Sequence, residues 1–172
     1  MRFLGFLFAV CLMSSNALAG FYIEPYVGYE SGEVDEDKMT STNFGGKLGM
    51  DMLGFAGGAD VMLGSMSVTD DATDDSTTYN GQDLGVFAQF TFPILLKLSA
   101  TYFVQSQAKH DETTISGSGT KVGIGYTGLP FVSINFDMIN MNYDELKTDA
   151  GTFDVDSDRK SWMLSLSMPF SL

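Results

Sequence analysis

The sequence predicts an all-β fold: an eight-stranded antiparallel up-and-down transmembrane β-barrel. Three observations carry that prediction. Apolar residues recur with period two, the mark of strands with two unlike faces. Beyond residue 19, no stretch approaches the roughly 20 consecutive apolar residues of a spanning helix. The stretches between the alternating segments are by turns short and long, as in a barrel that threads a bilayer.

Composition narrows the field further. The chain has 172 residues, 44% hydrophobic and only 18% charged, against roughly 25% charged in ordinary soluble domains. Aromatic residues at 13% argue against general disorder. A formal net charge of -13 would repel a phosphate backbone, which excludes nucleic acid as a partner. One Cys, no heptads and no glycine period exclude zinc-finger, coiled-coil and collagen classes.

Residues 1–19 read as a cleaved signal peptide, and 20–172 as the barrel domain. Arg2 precedes the apolar run Phe3–Met13, which is too short to span a membrane. Ala17 and Ala19 then form an A-x-A cleavage site before Gly20. The one Cys, Cys11, lies in this segment behind Val10, so it does not read as a lipoprotein signal.

Eight alternating segments follow. Phe21, Ile23, Val27 and Tyr29 oppose Tyr22, Glu24, Tyr26 and Gly28. Phe44, Leu48 and Met50 oppose Asn43, Lys47 and Asp51. Phe55, Ala59, Val61 and Leu63 oppose Ala56, Gly58, Asp60 and Gly64. Leu84, Val86, Ala88 and Phe90 oppose Asp83, Gly85, Phe87 and Gln89. Leu96, Leu98, Ala100, Tyr102 and Val104 oppose Lys97, Ser99, Thr101, Phe103 and Gln105. Val122, Ile124 and Tyr126 oppose Lys121, Gly123 and Gly125. Val132, Ile134, Phe136 and Met138 oppose Ser133, Asn135 and Asp137. Trp162, Leu164, Leu166, Met168, Phe170 and Leu172 oppose Ser161, Met163, Ser165, Ser167, Pro169 and Ser171. Each segment reads as a strand of about 10 residues, enough to cross a bilayer at about 45°. Short turns are expected around Leu53-Gly54, Pro93-Ile94 and Leu129-Pro130. Long loops are expected over 31–41, 67–79, 106–119 and 144–158. Seven connections in this alternation put both ends of the mature chain on the short-turn side.

The opening segment FYIEPYVGY at 21–29, the eight alternating segments and the unequal connections resemble the small outer-membrane barrels of the OmpA/OmpX type. That resemblance implies a Gram-negative envelope protein of the cell surface. Its long loops would be extracellular and its termini periplasmic, with outer-membrane lipid and lipopolysaccharide around it. It also implies periplasmic chaperones and the barrel assembly machinery as partners during biogenesis, and a monomer. Members usually end on an aromatic residue. This chain ends Pro169-Phe170-Ser171-Leu172, a departure in which Phe170 is the nearest aromatic. The competing architecture is a soluble lipocalin-like barrel with its apolar face inward. Aromatics near the strand ends, such as Tyr29, Phe55, Tyr102 and Trp162, fit membrane girdles instead.

The polar face then points into a lumen only wide enough to be filled by side chains. It carries Glu24, Asp51, Asp60, Asp83 and Asp137 with Lys47, Lys97 and Lys121. Hairpin arithmetic sets Lys47 opposite Asp60, and a turn centred on Leu129 sets Lys121 opposite Asp137. Lys97 has only Gln89 or Thr91 across its hairpin, so it reaches over the lumen toward Asp83 or Glu24. An ion-pair network that plugs the barrel is expected; the alternative is a narrow small-solute or ion pore. The predicted role is structural or surface-interacting, in envelope integrity or adhesion, and porin-like only in architecture.

Sixteen of the 22 acidic residues fall in the four long connections. Asp154, Asp156 and Asp158 imitate the opening of a calcium loop, but Arg159 stands where the turn glycine belongs, which excludes an EF-hand. Weak Ca²⁺ or Mg²⁺ binding there, with help from Asp70–Asp75, is the expectation; no other cofactor is expected. The lone His110, with Ser106, Ser116 and Ser118 nearby in sequence, is the only candidate for a lipid A-modifying relay. One His in a polar connection points to solvation, so no enzymatic activity is predicted. Methionines such as Met62, Met138, Met141 and Met168 read as apolar filler rather than metal ligands.

Overall fold

The structure is a computed structural model that describes residues 19–35, 37–69, 75–110, 113–148 and 151–172. Of the expected signal peptide 1–19, residues 1–18 lie outside the described residues, as do Glu36, Asp70, Asp71, Asp74, Asp111, Glu112 and Asp149. The strands are β1 (Gly20–Val34), β2 (Asp37–Met52), β3 (Phe55–Thr69), β4 (Ser76–Thr91), β5 (Leu96–His110), β6 (Thr113–Leu129), β7 (Val132–Thr148), β8 (Gly151–Ser167) and the short β9 (Phe170–Ser171). From β1 to β8 each strand pairs antiparallel with the next in sequence, and β1 also pairs with β8 and β9, which closes the sheet. β8 and β9 are one strand interrupted at Met168-Pro169, where proline has no N–H to give the ladder. The Met168 amide donates to the Pro25 carbonyl at 3.0 Å, and Phe21 and Leu172 exchange two bonds of 2.9 Å. The barrel is therefore eight-stranded.

Which face is which follows the predicted alternation. Leu48, Leu63, Val86, Leu98, Val122, Phe136 and Leu164 are exposed, while Glu24, Lys47, Asp60, Lys97, Lys121 and Asp137 are buried. This inverts a soluble protein: the hydrophobic band faces out and the charge faces in.

Strand length is where the structure departs from the sequence expectation. The expected long loops are mostly ladder, and the strands run to 15–17 residues. The first hairpin stays paired up to Val34 and Asp37. Apolar alternation fades along segments such as Thr40-Ser41-Thr42-Asn43, but backbone pairing does not need it, and β-branched Thr favours the extended chain. Loss of alternation marks where a strand leaves the apolar band, not where it ends. At about 3.3 Å per residue and about 40° of tilt, such strands stand about 40 Å tall, taller than the about 25 Å band of a membrane barrel.

Bulges are the second departure. One shifts β5 against β6 between Phe103 and Ser106. It turns Gln105 out and Ser106 in, whereas unbroken alternation would put Gln105 inside. A shift between Tyr126 and Leu129 precedes a two-residue turn at Pro130-Phe131. The β6–β7 register is therefore centred one residue later than expected. Gly123 faces Asp137, and Lys121 faces Ile139.

The three short turns share a feature. Leu53, Leu95 and Phe131 adopt left-handed backbone, with φ of 53°, 64° and 62°. Gly54 beside Leu53 also has positive φ, at 85°. Leu53-Gly54 and Pro130-Phe131 are two-residue turns and Pro93-Ile94-Leu95 a three-residue one, and each closes its hairpin through a left-handed residue. Bulky L-residues there cost about 1–2 kcal/mol each.

Glycines inside the barrel make room for large side chains. The Tyr26 ring lies over Gly45, its ladder partner, where an added Cβ would collide with the ring. The neighbouring Gly46 faces open space. Gly45→Ala should therefore destabilise the barrel by about 1–3 kcal/mol through overpacking. Gly46→Ala should stay within about 0.5 kcal/mol of the parent, as surface changes do. Urea unfolding in detergent micelles measures both.

Candidate functional site

The inward side chains form three polar tiers. The lowest centres on Glu24. Lys97 pairs with it and donates a hydrogen bond, and Lys47 lies 3.8 Å away. The Ser167 hydroxyl donates to Glu24 Oε1 at 2.5 Å, and the Tyr22 hydroxyl donates to Oε2. Gln89 closes the tier, donating to the Tyr22 hydroxyl at 2.6 Å and accepting from Lys47 at 3.3 Å. Strands β1, β2, β4, β5 and β8 all contribute.

The middle tier centres on Asp60. Lys121 pairs with it at 2.8 Å, and Tyr26 and Thr101 each donate to it at 2.9 Å. Lys121 also donates to the Tyr26 hydroxyl at 3.1 Å and lies over the Tyr26 and Phe103 rings. Four donor–acceptor contacts and two ring faces thus surround one buried pair, as a desolvated ion pair requires.

The upper tier joins the two edges that close the barrel. Arg159 on β8 grips Glu30 on β1 with bonds from Nε at 2.9 Å and from Nη2 at 2.5 Å to each carboxylate oxygen. Asn43 donates to Glu30 at 2.6 Å, and Ser161 also donates to it. The Arg159 Nη1 donates to the Tyr143 hydroxyl at 3.3 Å. Asp83 stands nearby and accepts from Ser106 at 2.5 Å.

The sequence-predicted network residues are distributed over these tiers in a particular way. Lys97 and Lys47 meet at Glu24. Lys47 is the ladder partner of Asp60, yet its ion pair is with Glu24. Lys121 meets Asp60, and no hydrogen bond among the described residues joins it to Asp137. The one-step register difference at Pro130-Phe131 is the cause. Asp137 instead lies over Gly123 and faces a cavity of about 10 Å³ shared with Glu24, Lys47, Lys121 and Asn135. That cavity has the size of one water. Asp83 joins the upper tier rather than Lys97. Glu30 and Arg159 were absent from the expected network. Parity identifies both: Glu30 continues the even series Glu24, Tyr26, Gly28, and Arg159 continues the odd series from Ser167 down to Ser161.

Above the tiers the lumen turns apolar. Met39, Met66 and Ala108 pack together, with Val34, Val68 and Tyr79 against them. The mouth there is a cavity of about 200 Å³ with Asp35 and Asp37 among its walls. Asp154, Asp156 and Asp158 lie along β8, exposed on its outer face, and not around a loop. On a strand, residues two apart sit about 7 Å apart, which spreads the three carboxylates over about 13 Å of one face. Among the described residues no three acidic, His or Cys groups are placed to hold one ion. Asp158 is engaged with Asn142 at 3.0 Å and Lys160 at 3.4 Å, and these partners, Asn142 first, hold its carboxyl below the ordinary value. Asp70, Asp71 and Asp74 lie outside the described residues. His110 Nδ1 is 2.7 Å from the Thr78 carbonyl, and its ring packs on Tyr79. Ser106 is four residues away along β5, about 13 Å, and is bonded to Asp83. Ser116 is paired opposite Gln107 and Ser118 opposite Asn142, so neither faces His110 in the ladder.

Closure, strand number and order find a counterpart among solved structures. The crystal structure of neisserial surface protein A matches with a TM-score of 0.51, over 88% of this chain and 97% of that chain, at 15% identity. The two share one fold. A second solved structure, from work on the in-meso crystallization of membrane proteins, covers 88% of this chain and 84% of its own at 12% identity. Its TM-score of 0.31 is too low for any inference. No family model and no curated protein sequence matches the chain.

The middle tier is open to a direct test. Removing one partner of a buried pair leaves the other uncompensated, so Lys121→Met should cost about 3–5 kcal/mol in an unfolding titration. Adding Asp60→Asn should recover about 1–3 kcal/mol of that loss. Adding Asp137→Asn should recover less than half as much. Equal recovery from both would mean that Lys121 has no preferred partner.

Proposed function

We propose that this protein is an integral barrel of a bacterial outer membrane, with a structural or surface-interaction role in envelope integrity or adhesion. One observation carries the reading. A closed barrel exposes an apolar belt while burying Glu24, Asp60, Glu30 and four cationic partners inside. Such an inversion is stable only where the outer wall meets hydrocarbon. The named neighbour is a surface protein, and the N-terminal segment reads as an export signal.

In this reading the long hairpins face outward and the short turns and both mature termini face the periplasm. The acids concentrated on the hairpins support that orientation, since it places them in water at the cell surface. Outer-membrane lipid and lipopolysaccharide surround the belt, and the assembly machinery and periplasmic chaperones act during biogenesis. The chain works as a monomer. The polar tiers close the lumen and the role is non-catalytic; the engagement of Ser106 with Asp83, about 13 Å along β5 from His110, supports that reading.

Two measurements check this. The refolded protein should shift in gel mobility on boiling, as a barrel held by its hydrogen-bonded closure does. In planar bilayers it should show no steady conductance of an open water-filled channel. Steady conductance abolished by Lys121→Met or Arg159→Met would instead establish the narrow-pore alternative. A monomer soluble without detergent would end the membrane reading altogether.

A further inference from the structure

The short-turn end carries an apolar collar that its backbone bears at a cost. Leu53 is 81% exposed, Phe131 77% and Ile94 69%, with Leu95 and Leu129 beside them. Leu53, Leu95 and Phe131 occupy left-handed backbone, where Gly or Asn would relieve the strain and suit water better. No charged residue occurs in 52–59, 88–96, 122–136 or 161–172, and the charges nearest the turns, Asp51 and Lys97, line the lumen mouth with Tyr22 and Gln89 rather than the outer wall. The opposite end is rich in Asp and Glu.

The height of the outward belt says what covers the collar. Along β1 it runs from Phe21 to Tyr29, and along β3 from Phe55 to Leu63, eight residue steps each. Along β5 it runs from Leu96 to Val104, again eight steps, and along β2 only from Phe44 to Met50. At about 3.3 Å per step and about 40° of tilt these belts stand about 15–20 Å tall, short of the about 25 Å hydrocarbon layer a barrel of this kind spans. The turns make up the difference. Ring chemistry agrees. At the far edge of the belt stand Tyr29, Tyr102 and Trp162, whose polar atoms suit a water boundary. Toward the turns stand Phe21, Phe55, Phe90, Phe92, Phe131 and Phe170, rings with no polar atom, with Tyr126 the one exception. The water boundary at this end therefore lies beyond the phenylalanines.

We propose that the short turns are themselves a lipid-binding surface: the collar Leu53, Ile94, Leu95, Leu129 and Phe131 is seated in the acyl–headgroup boundary, and the barrel does not project from the membrane on this side. The proposal rests on the membrane reading above. The occupant is lipid, since the collar is continuous with the belt and completes its height.

Trp162 is the only tryptophan, so Trp162→Phe gives a silent background. Single reporters are then placed by Leu53→Trp and Phe131→Trp in the collar, Val86→Trp in mid-belt and Phe153→Trp at the hairpin end. Each variant, checked for folding by its heat-dependent gel shift, is placed in lipid nanodiscs, which open both faces to water. Phosphatidylcholine brominated near the top of its chains quenches from the lipid; iodide quenches from water. The collar reporters should lose emission several-fold with brominated lipid and little with iodide, while Phe153→Trp should do the reverse. Two collar positions keep the test open if one variant fails to fold. Collar reporters that follow Phe153→Trp, while Val86→Trp still answers to brominated lipid, would overturn the collar and leave the membrane barrel standing. If Val86→Trp also ignores brominated lipid, the membrane reading falls and the collar with it.

Discussion

Everything in this barrel depends on one constraint: the half of each strand that turns inward shares a space too narrow for bulk water. An inward charge therefore finds its partners among side chains on several strands or, like Asp137, faces a cavity the size of one water. Glu24 is satisfied from β1, β2, β5 and β8 together, Asp60 from β1, β5 and β6, and Glu30 from β2 and β8. An uncompensated carboxylate in such a space would cost several kcal/mol. The small residues of the inner wall follow from the same constraint, since Tyr26 fits only over Gly45 and Asp137 only over Gly123.

Much of the fold was legible because period two is a direct image of the pleat. It assigns Lys47 and Lys121 to the inside and Leu48 and Val122 to the outside without any knowledge of the register. It cannot say where a strand stops. The stretches 31–41 and 144–158 read as loops, although the described residues of both are mostly ladder. It also cannot see a bulge, which reverses the phase, as Gln105 and Ser106 show. The site was legible as a list of faces and not as a set of pairs. Parity gives a side chain's face but neither its height nor the strand it meets across the lumen. Lys121 and Asp60 are 61 positions apart and on strands that are not neighbours, and no hairpin rule connects them.

The two ends of the barrel solve opposite problems. At the hairpin end the backbone is paired well beyond the apolar belt, and Asp35 ties the first hairpin to β8 through bonds with the Asp158 backbone. Ladder hydrogen bonds there hold polar side chains in water without a large core, apart from the small cluster around Met39 and Met66. At the turn end the chain reverses at once, in conformations that favour glycine, yet presents leucine and phenylalanine. Backbone strain on one side and exposed charge on the other give the molecule a polarity that the symmetric sheet lacks.

The grip of Arg159 on Glu30 also bears on how the molecule reaches its final state. The two residues lie on the last long strand and the first, 129 positions apart. Neither can meet the other until the sheet has curled fully round, so this multiply bonded, charge-assisted contact is unavailable to any open intermediate. A slip of one residue at that seam would turn one of the two charges out of the lumen and leave the other inside without its partner. The seam thus acts as a checkpoint on assembly: it rewards only the correct register, and only at the last step.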